Sequence, residues 1–350
     1  GVTLDQLNEE LIQHGLYYPI HIGQMTATLG GNVATNAGGM NAVKYGVTRH
    51  QVIGIEAVLP NGQVINSGGE FVKSSTGYDL TQLITGSEGT LAIVTRIILR
   101  IMPRPACREM LLVPFTSLEK AIDIVPQLLR LKTIPMGIEF IERDVIQAVE
   151  KQLEYELPNH NEEAFLMIIM EGDSSEEIIQ YFAELENICR QNGAVEFYAP
   201  VDERAKRKLV EFREKMSPSL AKLGPWELVD AVVPRSEIAN YIRKVKGIAK
   251  DFNTTIFAFG HAGDGNVHLH PTCIDQDKEQ WRSMVPAIMQ RLYEECTALG
   301  GTISGEHGIG SEKKRYLSLA LSAETIALMK NIKAAFDPKN ILNPGKIIDY

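Results

Sequence analysis

The chain has 350 residues, with 35 Lys and Arg against 44 Asp and Glu, a formal net charge of −9, and 44% hydrophobic residues. That length accommodates two domains, and the composition excludes a disordered or fibrous protein. The acidic balance, without any dense Lys/Arg run, excludes a nucleic-acid scaffold, so a small anionic ligand has to find local positive groups. Cys107, Cys189, Cys273 and Cys296 are scattered without CxxC spacing, which fits a reducing, cytoplasmic setting. No apolar run reaches the length of a membrane span, and GVTLDQLNEE carries neither the basic nor the apolar region of a signal peptide. The expectation is a soluble protein, with peripheral attachment at the inner face of a membrane left open.

In chain order, Thr3 caps an amphipathic helix that ends at Gly15. The stretch Gly30 to Gly46, GGNVATNAGGMNAVKYG, is too rich in Gly and Asn for regular structure. Val52 to Leu59 and Val64–Ile65 form a hairpin around Asn61-Gly62, and Leu91 to Ile101 is a further strand. Pro103 and Pro105 mark a domain boundary. Beyond it, strands at Met110–Phe115, Gly137–Ile141, Phe165–Glu171 and Val195–Tyr198 interleave with helices at 117–132, 142–156 and 174–191. Further helices follow at 205–216, 236–252, 277–299 and 323–336. This alternation predicts an α+β layer, helices packed on one face of an antiparallel sheet.

Chemistry concentrates in FGHAGDGNVHLH, residues 259–270, where Gly263-Asp264-Gly265 provides a tight turn that folds His261 back toward His268. Glu306 and His307 lie in SGEHGIGSEKKR between glycines. Two histidines and a carboxylate suit a borderline metal, and the remaining imidazole is a candidate base. The competing reading is ordinary strand histidines, since neither zinc-finger nor HExxH spacing is present. Three glycine loops, at 30–46, 73–79 and 86–90, read either as turns or as a cofactor cradle of exposed main chain; none has the phosphate-loop pattern. Lys313, Lys314 and Arg315 read as a solvated helix start. Arg213, in the charged run EFREK, reads either as a solvated helix charge or as an anion-binding group.

GGNVATNAGG…KYG, STGYDLTQLITGSEGTLAIVT, GHAGDGNVHLHP, SGEHGIGSEKK and FDPKNILNPGKI, in that order, resemble the FAD-linked oxidase family of the vanillyl-alcohol oxidase superfamily. The likeness is to D-2-hydroxyacid dehydrogenases of the D-lactate, glycolate and D-2-hydroxyglutarate kinds, and it spans essentially the whole chain. The resemblance implies an α+β chain: the C-terminal half of a vanillyl-alcohol-oxidase-type FAD-binding domain at 1–104, an α+β cap domain with antiparallel sheet and metal site at 105–320, and a tail at 321–350 returning to the flavin. It assigns Gly30, Gly31, Asn32, Asn36, Ala37, Gly38, Gly39, Tyr45 and Gly46 to the isoalloxazine and pyrophosphate. It assigns Gly86, Ser87, Glu88, Gly89, Ile93 and Val94 to the adenine and ribose side. Asn343 returns to flavin and substrate, and His261, His268 and Glu306 are metal ligands, for zinc first, then iron or manganese. His307 is the catalytic base, while Arg213 and Ser217, four apart on a helix, grip the substrate carboxylate.

The implied activity is FAD-dependent, metal-assisted oxidation of a D-2-hydroxy acid, with electrons passed to a quinone, an electron-transfer flavoprotein or an iron–sulfur subunit. Two departures bear on this. Family members carry a phosphate-loop segment ahead of the point where this sequence starts, so a split or fragmentary, non-catalytic chain needing a partner, or a homodimer, is the alternative; an alkyl-glycerone-phosphate-synthase-like flavoenzyme is another. Leu228 stands where some 2-hydroxyglutarate enzymes have a further basic residue, which favours a monocarboxylate unless Lys222 substitutes.

Overall fold

The computed structural model describes residues 1–350 except Val201 and Asp275. The chain divides into two compact units, one formed by residues 1–104 and 304–350 and the other by 105–303. The second unit therefore ends at Ile303, ahead of the boundary at 320 expected from sequence, and Glu306 and His307 fall in the first unit. Among the described residues, no helix is long and apolar enough to cross a membrane.

In the first unit, Thr3 caps the Leu4–Ile12 helix and exchanges bonds with Gln6 in a capping box. Val52–Val58 is the central strand between Val64–Gly68 and Ile93–Leu99, all antiparallel. Its inward side chains Val52, Ile55 and Ala57 join Val33, Ile84 and Ala92 in one buried cluster. The Gly30–Gly46 stretch, expected to be irregular, contains two short helices, Leu29–Thr35 and Ala42–Tyr45. The first forms because Thr28 Oγ1 accepts the Gly31 amide, and it stops where Asn36 turns left-handed at φ 53°.

The second unit is built on a six-stranded, wholly antiparallel sheet. Its order is Cys107–Phe115, Ala164–Gly172, Gly137–Glu142, Thr255–His261, Asn266–Thr272, Val229–Val232. Gly137–Glu142 and Asn266–Thr272 are buried at every position, so the sheet is covered on both faces. Val195–Tyr198 does not become a seventh strand. Only Ala194 and Tyr198 bridge the sheet edge, at Phe115 and Leu112, because Pro114 between them has no N–H to continue the ladder on that side. The single helix expected at 117–132 is two, Leu118–Asp123 and Val125–Leu128, the second beginning around Pro126.

The C-terminal tail is fixed in the first unit by one buried cation. Lys333 Nζ, on the Ala323–Phe336 helix, donates to Asp337 Oδ2 at 2.5 Å and to the Thr90 and Leu342 carbonyls, each at 2.9 Å. Asp337 in turn accepts the Ile341 and Leu342 amides. Burial pushes the Asp337 carboxyl pKa up, but Lys333 and the two amides outweigh it and hold it below its ordinary 3.8. A carboxylate with a lowered folded pKa stabilises above its unfolded value and loses that contribution as the pH falls through the folded one. Lys333→Met should cost about 3–5 kcal/mol by stranding the carboxylate. Asp337→Asn should lower the melting temperature at neutral pH and blunt its fall below about pH 4; denaturation followed against pH checks both.

Candidate functional site

The strand register of the second unit sorts polar from apolar side chains. Glu139, His261 and Asn266 are successive cross-strand partners, and one pleat away Phe259, His268 and Asp230 are partners, followed by Phe257 and His270. Side chains two apart along a strand share a face. Glu139, Asp230, His261, Asn266, His268 and His270 therefore occupy one face, while Phe140, Ala258, Val267, Leu269 and Ala231 occupy the other. The turn that aligns the two histidine strands needs Gly265, whose φ is 90° and where a Cβ would collide with the Val233 carbonyl oxygen.

All six polar residues are buried, and their hydrogen bonds fix them. Glu139, 0% exposed, divides its oxygens: Oε1 accepts His261 Nδ1 at 2.6 Å, and Oε2 accepts Arg213 Nε and Nη2, both at 2.6 Å. Burial raises the Glu139 pKa, but the charges and hydrogen bonds of His261 and Arg213 exceed that and hold it below the usual carboxylate range. A carboxylate only accepts, so Nδ1 of His261 carries a proton, and in the neutral imidazole that leaves the lone pair on Nε2. That Nε2 lies 3.3 Å from His268 Nε2, the rings edge to face. Two imidazole nitrogens on one tetrahedral Zn²⁺, each at about 2.0–2.1 Å, are separated by about 3.3–3.4 Å. The pair therefore fits a shared divalent cation. Asp230, opposite His268, accepts Asn266 Nδ2 at 2.8 Å and adds a carboxylate to that face.

Arg213 and Ser217 face this surface from consecutive helices, Glu203–Glu214 and Met216–Leu220, not from one continuous helix. The solvated reading of Arg213 is excluded, since its side chain is 12% exposed, bound to Glu139, and stacked over the Phe259 ring at 5.1 Å. Ser217 Oγ lies 2.9 Å from His270 Nε2, and His270 is itself layered between Trp226 and Phe259 at 5.0 and 5.5 Å.

In the first unit, Glu88 organises the loop that bears Glu306 and His307. Its carboxylate accepts the amides of Ile309 at 2.6 Å and Gly310 at 2.8 Å, and its carbonyl accepts Asn343 Nδ2. Ser304 Oγ donates to the Gly308 carbonyl at 2.9 Å and is held by Lys313 Nζ at 3.0 Å. Lys313 is thus buried, contrary to the expected solvated helix start. His307, 38% exposed, has Nε2 3.5 Å from Glu306 Oε1. The glycine segments expected to cradle a cofactor are knit by main chain: Gly86 and Glu88 amides donate to Val33 and Ala34, and Asn36 Oδ1 accepts the Arg49 amide. At Gly30 the main chain stands open, for a Cβ there would meet nothing within 4 Å. Such bare backbone fits the close approach of a flat polar cofactor.

Residues 1–68 match the FAD binding domain, and residues 104–347 match the C-terminal domain of FAD linked oxidases. The chain belongs to the FAD-linked oxidase family. It is 40% identical, over 99% of its length, to the glycolate oxidase subunit GlcD of Bacillus subtilis, covering 73% of that protein. It is 40% identical, again over 99%, to a D-lactate dehydrogenase of Archaeoglobus fulgidus, covering 76% of it. Alkyldihydroxyacetonephosphate synthase shares the fold, with a TM-score of 0.71 at 18% identity, and the chain spans 63% of that structure. The family expected from the motifs is therefore the family found, and the protein is an FAD-linked oxidoreductase chain.

Glu139, Asp230 and Asn266 escaped the sequence reading, and His270 entered it only as an ordinary strand histidine. Their signal was present in GIEF, VDAV and NVHLH, where single polar residues alternate with apolar ones inside strands that are buried on both faces. Gly308, at φ 80°, passes 2.7 Å from Glu88 Oε1 if given a Cβ. Gly308→Ala should cost at least about 1–2 kcal/mol and accelerate amide exchange over residues 304–310, leaving exchange in the 255–272 hairpin unchanged.

Proposed function

We propose that this chain oxidises a short D-2-hydroxy acid, of the lactate or glycolate kind, to its 2-keto acid, with FAD as cofactor, a divalent metal, and an electron acceptor other than oxygen. The observation that carries the reading is the His261–His268 pair, its Nε2 atoms 3.3 Å apart on a buried face where Arg213 is anchored beside it. The D-lactate dehydrogenase and glycolate oxidase names of the similar proteins support the same substrate class.

His261 and His268 would hold the cation, with Glu306 and Asp230 as carboxylate donors. Zinc suits this N/O donor set, and iron or manganese also fit it. Bound there, the cation supplies Lewis-acid polarisation, and bound FAD supplies a hydride acceptor. His307 takes the proton of the substrate hydroxyl, a role suited to an imidazole near neutral pH. Arg213 presents its Nη1 and Nη2 edge to the substrate carboxylate, since Glu139 already occupies Nε and one side of Nη2. Ser217 adds a hydroxyl on the same side. The segments 30–46 and 86–94, with Asn343, cradle the flavin, in part through the open backbone at Gly30. Electrons leave to a quinone, an electron-transfer flavoprotein or an iron–sulfur subunit.

The reading is tested by loading the purified chain with FAD and Zn²⁺ and following dye reduction on the D and L forms of lactate. Bleaching of flavin absorbance by D-lactate alone is expected, and His307→Asn should lower kcat by about 10²–10⁴-fold. Equal rates on both enantiomers, or a His307→Asn variant with full turnover, would remove the mechanism. Flavin that stays oxidised with every short hydroxy acid would remove the substrate class.

A further inference from the structure

We infer that Glu139 is a positioning residue that ties the metal side of this site to its carboxylate-binding side; the inference rests on the proposed metal-assisted reading. Glu139 and His261 are direct cross-strand partners, so the sheet register brings their side chains to one spot. The two carboxylate oxygens then act on different neighbours. Oε1 holds the His261 proton on Nδ1, which leaves Nε2 as the ligating atom facing His268. A histidine ligand whose second nitrogen donates to a carboxylate is oriented and made more basic.

Oε2 takes the side edge of the Arg213 guanidinium, through Nε and Nη2. A guanidinium has five N–H donors in a fixed fork. With the side edge held, what remains is the end edge, Nη1 with the outer hydrogen of Nη2, which matches a single carboxylate. Arg213 Cζ also lies over the Phe259 ring, 5.1 Å from its centroid, which adds a cation–π contact to the hold of Glu139 on the guanidinium. One carboxylate thus sets the tautomer of a metal ligand and the direction from which an anion meets the arginine.

Charge neutralisation alone is a weaker account. A buried Glu–Arg pair is commonly no more stabilising than an apolar pair of similar size, and it does not require that one carboxylate oxygen be given to an imidazole. Sharing the carboxylate makes a distinct demand on substitution. Glutamine offers one acceptor oxygen, so it can serve His261 or Arg213 but not both. Asp keeps the charge opposite Arg213 but withdraws the carboxylate by one methylene.

The test measures metal affinity without turnover. Co²⁺ is titrated into flavin-loaded protein and read by its d–d absorbance, and Zn²⁺ affinity is obtained by competition with a chelating dye. Glu139→Gln should weaken both about 10–100-fold and raise KM for D-lactate more than it lowers kcat. Glu139→Asp should show the same loss of metal affinity while keeping the charge opposite Arg213, and it decides the matter if the Gln variant does not fold. Unchanged metal affinity in a folded Glu139→Asp would reduce Glu139 to a counter-charge and overturn the inference. Wild-type protein that binds neither Co²⁺ nor Zn²⁺ would instead overturn the metal-assisted reading beneath it.

Discussion

A carboxylate buried in a sheet must have its charge and its lone pairs answered from within the protein, and at Glu139 that requirement organises the second unit's polar face. Desolvation alone would drive it toward the neutral acid; Arg213 and His261 reverse the balance and keep it ionised. Satisfying it recruits the Glu203–Glu214 helix through Arg213 and the Thr255–His261 strand through His261. The same satisfaction determines which His261 nitrogen carries the proton. Without that anchor, the Nε2 atom that His261 turns toward His268 would have no fixed chemical identity.

The sheet reaches this arrangement because its polar and apolar residues alternate while both faces are buried. In Asn266–Thr272, Val267 and Leu269 enter the apolar core, while Asn266, His268 and His270 enter a hydrogen-bonded layer. Burying imidazoles, carboxylates and an amide together is costly unless each finds a partner. The partners come from far along the chain: Asp230 from the edge strand, Ser217 from a short helix, Trp226 from the loop before that strand. Such a layer gives up hydrophobic burial, and its return is a set of pre-oriented donors and acceptors.

The first unit solves a different problem with main chain. Its loops bear few large side chains, so they are held by backbone and side-chain bonds between segments: Glu88 to Ile309 and Gly310, Asn343 to Glu88, Lys333 to Thr90 and Leu342. Each of these joins residues more than two hundred apart in the sequence, apart from the short span between Lys333 and Leu342. Glu88 and Asn343, which the family resemblance assigns to the flavin and substrate, spend part of their bonding capacity on this internal scaffold. The FAD binding domain match covers the Gly30–Gly46 loop and the FAD linked oxidase match covers the histidine sheet, so both belong to segments characteristic of the family.

Local chemistry made the family, the mixed α+β class and the histidine turn legible in the sequence. Turn glycines, helix caps and alternating runs act within a few residues, so Gly263-Asp264-Gly265 announced its hairpin and Thr3 announced its helix. The same local logic misread Gly30–Gly46, where Thr28 and Asn36 cap a helix despite its glycines, and Val195–Tyr198, where Pro114 interrupts the ladder from another strand. Sequence by itself determined which residues were chemically capable: the histidines, Glu306, His307 and Arg213. Tertiary structure alone decided how they are used, because cross-strand register and burial act between distant residues. It set Glu139 beside His261, turned Arg213 from a solvent-facing charge into a part-buried, half-committed fork, and drew Lys313 out of solvent onto Ser304.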